Sequence, residues 1–249
     1  MGNLIGYSHT ENLYLSVPCL CGKRPFVLFL TIPTAGSHPE LLSELIESSE
    51  LPREQIVIIQ TRPGVELPAG VIVIEDFGPP NIQKWWKTGI EESVARGAAV
   101  VAVLNDDIRI PAGSLQILAG ELKRSGATIA SPSRPPQRDR VYRRPLVPYE
   151  PRLWGCYWLL DVSSGLLPDT GYSWWFGDND LDIRARRDYS GVLNFNVPYE
   201  HFFPGEGTGR SPVLQKLVEQ DTRRYQEQNG RLLFWTHWFN KIFHKTRQG

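Results

Sequence analysis

The run from Val100 to Ile110, VVAVLNDDIRI, constrains the fold more than any other stretch. Its first half is apolar and mostly β-branched, so Val100, Val101, Val103 and Leu104 predict a strand covered on both faces. It breaks abruptly into Asn105-Asp106-Asp107. In open α/β sheets, ligands bind beyond the carboxyl ends of the strands, which is where this acidic triplet falls. Adjacent carboxylates repel unless a cation lies between them, and a hard divalent ion such as Mg²⁺ or Mn²⁺ prefers carboxylate oxygen and keeps positions for phosphates. A polar strand-to-loop turn explains the same three residues without any ion.

The chain before this run alternates strand and helix. Asn12 to Val17 reads as a short strand and Pro25 to Pro33 as the first core strand. Ser37-His38-Pro39-Glu40 has capping-box spacing, and the helix behind it puts Leu41, Leu42, Leu45 and Ile46 on one face. Gln55 to Gln60 and Val71 to Ile74 read as strands. A helix from about Asn81 to Arg96 spaces Ile82, Trp85, Trp86, Ile90 and Val94, and Gly97 closes it. Such alternation predicts an α/β fold with a mostly parallel central sheet flanked by helices. The first turn, Thr31 to Gly36, lacks a Gly-rich phosphate loop, so a nucleotide would need another cradle.

After the triplet, Pro111 to Ser125 predicts a helix with Leu115, Ile117, Leu118 and Leu122 inward, and Thr128 to Ala130 a strand. Ser131 to Pro148 is rich in Pro and carries Arg134, Arg138, Arg140, Arg143 and Arg144. It reads either as a basic flap over a phosphorylated ligand or as a solvated loop. Leu153 to Asp161 is apolar and expected to be buried. Trp174-Trp175-Phe176-Gly177 then leads into Asp178-Asn179-Asp180-Leu181-Asp182 at the start of a helix. There the helix dipole favours carboxylates, whatever else they do. Asn194 to Val197 is a strand, followed by Tyr199-Glu200-His201. Ser211-Pro212 caps a polar helix to about Gln228, and Arg231 to Lys245 reads as a separate aromatic amphipathic helix.

Formal net charge is zero, which removes any global attraction to nucleic acid or anionic membrane. The three cysteines are an odd set, and Cys19 and Cys21 stand too close for an ordinary disulfide framework. Reduced thiols in the cytoplasm are the expectation. No apolar run is long enough to span a bilayer.

Taken together, these residues resemble the GT-A glycosyltransferases of family 2, from about Phe26 to Ser211. The matching parts, in order, are Pro33-Thr34 after the first strand, the run into LNDD with Asn105 and Asp107 at the D-x-D positions, PDTGYSWWFGDNDLDIRAR with Asp178 at the catalytic Asp, and VPYEH with His201 at the metal-side histidine. The resemblance implies a GT-A catalytic domain over 25–211, an N-terminal extension over 1–24 and a helical segment over 212–249 packed on the domain. It implies Asp178 as base, Asp107 and His201 as ligands of Mn²⁺ or Mg²⁺, and Pro33, Thr34, Gln60, Arg62, Asn105 and Asp106 around a nucleoside-diphosphate sugar, UDP-sugar favoured. Trp174 and Trp175 would meet the acceptor. Three positions depart from the family pattern. Asn105 replaces the first Asp, Gly177 replaces the Glu before the base, and Gln60-Thr61-Arg62 lacks the Asp near the nucleobase.

The implied activity is a metal-dependent hexosyl transfer with inversion. A cation would neutralise the leaving diphosphate, and a carboxylate would take the acceptor proton. A glycan, a lipid-linked glycan, a protein and modified DNA all remain open as acceptors. Two other readings stand beside it: a sugar nucleotidyltransferase, which would want a basic Gly-rich first loop, and a nucleotide-sugar-binding protein of this fold without turnover. Leu232, Trp235, Trp238, Phe239, Ile242 and Phe243, with Lys241, Lys245 and Arg247 nearby, predict a C-terminal helix that packs on the domain or rests weakly on a membrane surface.

Overall fold

The computed structural model describes residues 16–17, 26–134, 138–205, 208 and 211–245. Cys19, Cys21 and the first residues of the expected Asn12–Val17 strand lie outside the described residues, as does Arg247. The elements are β1 (Ser16–Val17), β2 (Phe26–Thr34), α1 (Pro39–Ser48), β3 (Ile56–Gln60), β4 (Ile72–Glu75), α2 (Ile82–Ala95), β5 (Val100–Leu104), β6 (Ile108–Arg109), α3 (Ser114–Ser125), β7 (Ile129–Pro132), β8 (Arg140–Tyr142), β9 (Tyr157–Asp161), α4 (Gly177–Asp188), β10 (Val192–Phe195), β11 (Glu200–His201) and α5 (Pro212–Lys245).

Among the described residues the main sheet has nine strands, in the order β4-β3-β2-β5-β9-β7-β10-β8 with β1 paired to β2. Strands β4, β3, β2 and β5 run parallel, as do β7 and β10. Side chains that alternate along a strand enter opposite layers. Leu28, Leu30, Ile32, Ala102 and Leu104 face α1 and α3, whereas Phe29, Val57, Val101 and Val103 face α2 and α4. The expected α/β layering is therefore present, with both faces of the central strands covered. Gly89 lets α2 approach β2 closely, since a Cβ there would overlap the Thr31 side chain.

Strand β9 departs from the simple alternation. It runs antiparallel between β5 and β7. The turn that enters it, Trp154-Gly155-Cys156, therefore lies at the carboxyl edge of β5, next to the acidic triplet. The Asn105 N–H donates to the Cys156 carbonyl at 3.0 Å across that junction.

Several local expectations change. α1 has His38 as its N-cap, with no side-chain hydrogen bond, so the Ser37 capping box does not form. Asn81 does cap α2, accepting from the Lys84 N–H at 2.8 Å. Ile117 is exposed rather than inward, and Val94 of α2, though at helical spacing, is exposed too. The strand expected at Asn194–Val197 lies two residues earlier, at Val192–Phe195. The two expected C-terminal helices are one, α5. Its Tyr225, Leu232 and Leu233 pack with Tyr149, Tyr172, Phe176 and Ile183. Phe234, Trp235 and Trp238 are exposed. Among the described residues no helix is long and apolar enough to cross a membrane.

Candidate active site

Three chain segments converge at the carboxyl edge of the sheet. β6 and β11 pair antiparallel, with His201 opposite Ile108 and Glu200 opposite Arg109. This two-stranded ribbon brings His201 to Asp107, Nε2 to Oδ2 at 3.2 Å. The Phe202 N–H donates to the Asp107 carbonyl at 3.1 Å, and the Phe203 N–H lies 3.3 Å from Asp107 Oδ2. Burial is the largest influence and works against ionising Asp107, but the bond to His201, the His201 charge and backbone N–H bonds together outweigh it and hold the carboxyl below its usual range. Burial likewise opposes the charged form of His201, yet Asp107 and Cys156 raise it to about 9.

Asp106 is held differently. The Thr34 hydroxyl donates to its Oδ2 at 2.6 Å, and the Gly36 N–H donates to Thr34 Oγ1 at 2.9 Å. Burial pushes Asp106 up and the neighbouring Asp107 charge adds to this, while Thr34 opposes both. Pro33 is buried in β2. Gln60 is buried as well and donates from Nε2 to the Arg62 carbonyl at 2.8 Å, whereas Arg62 itself is exposed. The turn after β3 is also tied to β2, since Thr61 donates from both its N–H and its hydroxyl to the Thr34 carbonyl.

Asp178 reaches the same edge through β9. The Gly155 N–H donates to its Oδ2 at 3.2 Å, and the Asn179 N–H donates to Oδ1 at 2.9 Å. Gly155 is one residue from Cys156, which faces His201 on one side and Arg134 Nη2, at 3.9 Å, on the other. The turn before β9 therefore links the carboxylate of Asp178 to the Asp107–His201 pair. Burial raises the Asp178 carboxyl above its ordinary range, against these backbone bonds.

The neighbouring carboxylates do structural work. Asp180 pairs with Arg184 at 2.7 Å. Asp182 is fully buried and accepts from Arg186 at 3.1 Å, from the Tyr149 hydroxyl at 2.8 Å and from the Arg152 N–H at 3.2 Å. Gly177 answers to packing: a Cβ there would overlap the side chain of Gln83, which is itself buried on α2. Phe176 takes a left-handed conformation, φ 61°, at the N-cap of α4.

Sequence reasoning missed Asp221. This residue of α5 is only 3% exposed, and its carboxylate accepts from three successive backbone N–H groups. They are Ser173 at 3.1 Å, Trp174 at 2.7 Å and Trp175 at 2.9 Å. Trp174 is partly buried and donates from Nε1 to the Thr208 hydroxyl at 2.8 Å, while Trp175 is 46% exposed. No sequence signal pointed to Asp221, because an acidic residue in a polar helix reads as solvated. Arg134 was also underestimated. It stacks over Trp154 at 3.9 Å and donates from Nε to the Tyr199 hydroxyl at 2.8 Å, a cation held at the rim of the site.

Among the described residues no three His, Cys, Asp or Glu side chains converge in a metal-holding cluster. The pair Asp107 and His201 nevertheless suits a divalent cation. Asp107 Oδ1 is buried without a hydrogen-bond partner among the described residues. An ion with two protein ligands takes its remaining oxygens from phosphate and water.

No family model and no curated protein sequence matches the chain. Solved structures do match. S. aureus TarS 1–349 superposes with a TM-score of 0.53 over 88% of this chain and 73% of its own, at 11% identity. The same protein in complex with UDP gives 0.52 over 89% and 73%, also at 11% identity. GalNAc-T7 with UDP, GalNAc and Mn²⁺ gives 0.55 over 78% of this chain and 48% of its own, at 16% identity. The chain has the GT-A fold. These neighbours are glycosyltransferases.

Proposed function

We propose that the protein is an inverting glycosyltransferase that moves a sugar from a nucleoside-diphosphate sugar, UDP-sugar favoured, to an acceptor hydroxyl. The observation that carries this reading is the pairing of Asp107 with His201 on the edge that also holds Asp178 through Gly155. The fold shared with proteins solved with UDP and with Mn²⁺ supports it.

In this reading Thr34, Asp106 and Asn105 line the donor side, and Pro33, Gln60 and Arg62 form its wall toward β3. Asp107 and His201 would hold Mn²⁺ or Mg²⁺, which supplies charge neutralisation for the diphosphate when bound. Trp174 and Trp175 offer aromatic faces to the acceptor. The acceptor hydroxyl attacks the anomeric carbon and its proton passes to a carboxylate oxygen of Asp178. The bond from that carbon to the diphosphate oxygen breaks, and the electron pair leaves with the nucleoside diphosphate. One displacement on one face inverts the centre. A raised carboxyl pKa suits Asp178 to this task, because a base is most effective when its pKa approaches the working pH.

The test is release of nucleoside diphosphate from a panel of UDP- and GDP-sugars, with candidate acceptors, in Mn²⁺ and in chelator. Metal-dependent release with one donor supports the reading. Donor binding with no release under any condition favours a nucleotide-sugar-binding protein instead. For weak contact with a membrane surface, the support is exposed Phe234, Trp235 and Trp238 beside Lys241, on a helix with no acidic residue after Glu227. Equal co-sedimentation with anionic liposomes by the native protein and by a triple alanine variant at those aromatics would end that part of the reading.

A further inference from the structure

The arginines of the 134–144 segment do not act together. Arg134 belongs to the site rim, whereas Arg140, Arg143 and Arg144 line a separate cavity of about 290 Å³ at the β8 edge of the sheet. Arg152 and Arg186 complete its lining, so five arginines and one glutamate, Glu150, border it. Like charges gathered in one recess raise each other's energy, and an anion among them relieves this.

The internal pairing leaves that charge largely uncompensated. Glu150 is taken by Arg152 at 2.5 Å, and Arg186 is paired with Asp182 behind the cavity wall. Among the described residues Arg140, Arg143 and Arg144 pair with no carboxylate. Arg140 lies over the Tyr142 ring at 4.3 Å, and Arg143 donates to the Ser190 carbonyl at 3.1 Å. Arg186 is only 4% exposed, and its Nε has no acceptor, nor does the buried Nε of Arg152. The exposed guanidinium groups of Arg140, Arg143 and Arg144 are the ones a phosphate oxygen in the cavity can reach. The wall is rigid where it matters. The Arg186 guanidinium also donates to the carbonyls of Glu150 and Arg144, so it ties the loop after β8, which carries Arg143 and Arg144, to α4.

We propose that this cavity is an anion subsite that takes a phosphate group. Arg186, in its wall, lies eight residues along α4 from Asp178, about 12 Å at 1.5 Å per residue. That spacing sets the subsite apart from the Asp178 carboxylate, so only an extended acceptor chain would span both. The site itself does not depend on sugar transfer. Phosphate binding without any transferase activity would leave it standing, and transfer without phosphate binding would remove it alone.

The test is calorimetric titration of the full chain with inorganic phosphate, with a glycerol phosphodiester and with UDP, at low salt. Arg140→Gln with Arg144→Gln removes two exposed cations outside the catalytic site. The native protein should bind phosphate or the diester, and the double variant should bind it about tenfold more weakly. UDP affinity and the thermal midpoint should stay unchanged, and added salt should weaken the phosphate arm. Binding of the diester identifies a chain-borne phosphate, and binding of inorganic phosphate alone identifies a free ion; both outcomes support the subsite. Absence of both in the native protein, or equal affinity in the double variant, overturns it.

Discussion

Replacing Asp221 with alanine should loosen the aromatic turn that precedes Asp178. The native carboxylate collects the N–H groups of Ser173, Trp174 and Trp175, and α5 holds it almost fully buried. Removal leaves three donors in a partly buried turn. A hydrogen bond to a charged group is worth about 1.5–3 kcal/mol, and an orphaned donor costs about 1–3 kcal/mol before water enters. Allowing water to rescue part of this, the net loss is about 3 kcal/mol. For a chain of this size, about 1 kcal/mol shifts the thermal midpoint by roughly 2–4 °C, so Asp221→Ala should melt about 6–12 °C lower. Asp221→Asn keeps one acceptor oxygen and should fall between. Thermal unfolding followed by near-ultraviolet circular dichroism measures both, since Trp174 and Trp175 report on the turn. Asp178 begins the helix that this turn enters, and an error of about 1 Å in a reacting group can cost roughly a hundredfold in rate. Acceptor turnover should therefore drop more than UDP affinity. An alanine variant melting within about 1 °C of the native protein would refute the clamp.

Gly177→Ala should destabilise the protein because the new Cβ meets Gln83, and adding Gln83→Ala should restore part of the loss; additive melting shifts would contradict that contact. Asp182→Ala leaves the buried Arg186 guanidinium without its counter-charge and should cost about 3–5 kcal/mol, read by denaturant unfolding, whereas a change within error would show that the pair is dispensable. Burial raises the Asp178 carboxyl, so its protonated, inactive form persists to higher pH than for an ordinary aspartate. Turnover should consequently rise with pH through a limb above the usual carboxylate value, and a limb at or below that value would rule out a raised base.

Much of the layering was legible because buried strands and amphipathic helices leave strong periods. Val100 to Leu104 is buried throughout, as its run of apolar residues implied. Direction was not legible: Leu153 to Asp161 announces burial, yet nothing in its composition says that β9 runs antiparallel. That one reversal places Gly155 and Cys156 between Asp178 and His201. The β6–β11 ribbon was hidden for a different reason, since two-residue strands carry no period. Polar residues with remote partners were the hardest. Asp221 and Gln83 take their meaning from segments roughly 50 and 90 residues away in sequence, and a lone Asp or Gln in a helix gives no hint of them. Val94 and Ile117 fit helical spacing and still face solvent, since apolar residues on a surface are ordinary.

The division of labour between Asp107 and Asp178 carries the account, and one paired measurement reaches it. Affinity for the nucleoside-diphosphate sugar in Mn²⁺ and turnover with acceptor are determined for the native protein, Asp107→Ala and Asp178→Asn. Asp107→Ala should lose Mn²⁺-dependent donor binding, because it removes an anionic oxygen from a hard cation. Asp178→Asn should keep donor affinity and lose about two to four orders of magnitude in turnover, the usual contribution of a general base. Full turnover in Asp178→Asn, or unchanged metal-dependent donor binding in Asp107→Ala, would contradict the assignment.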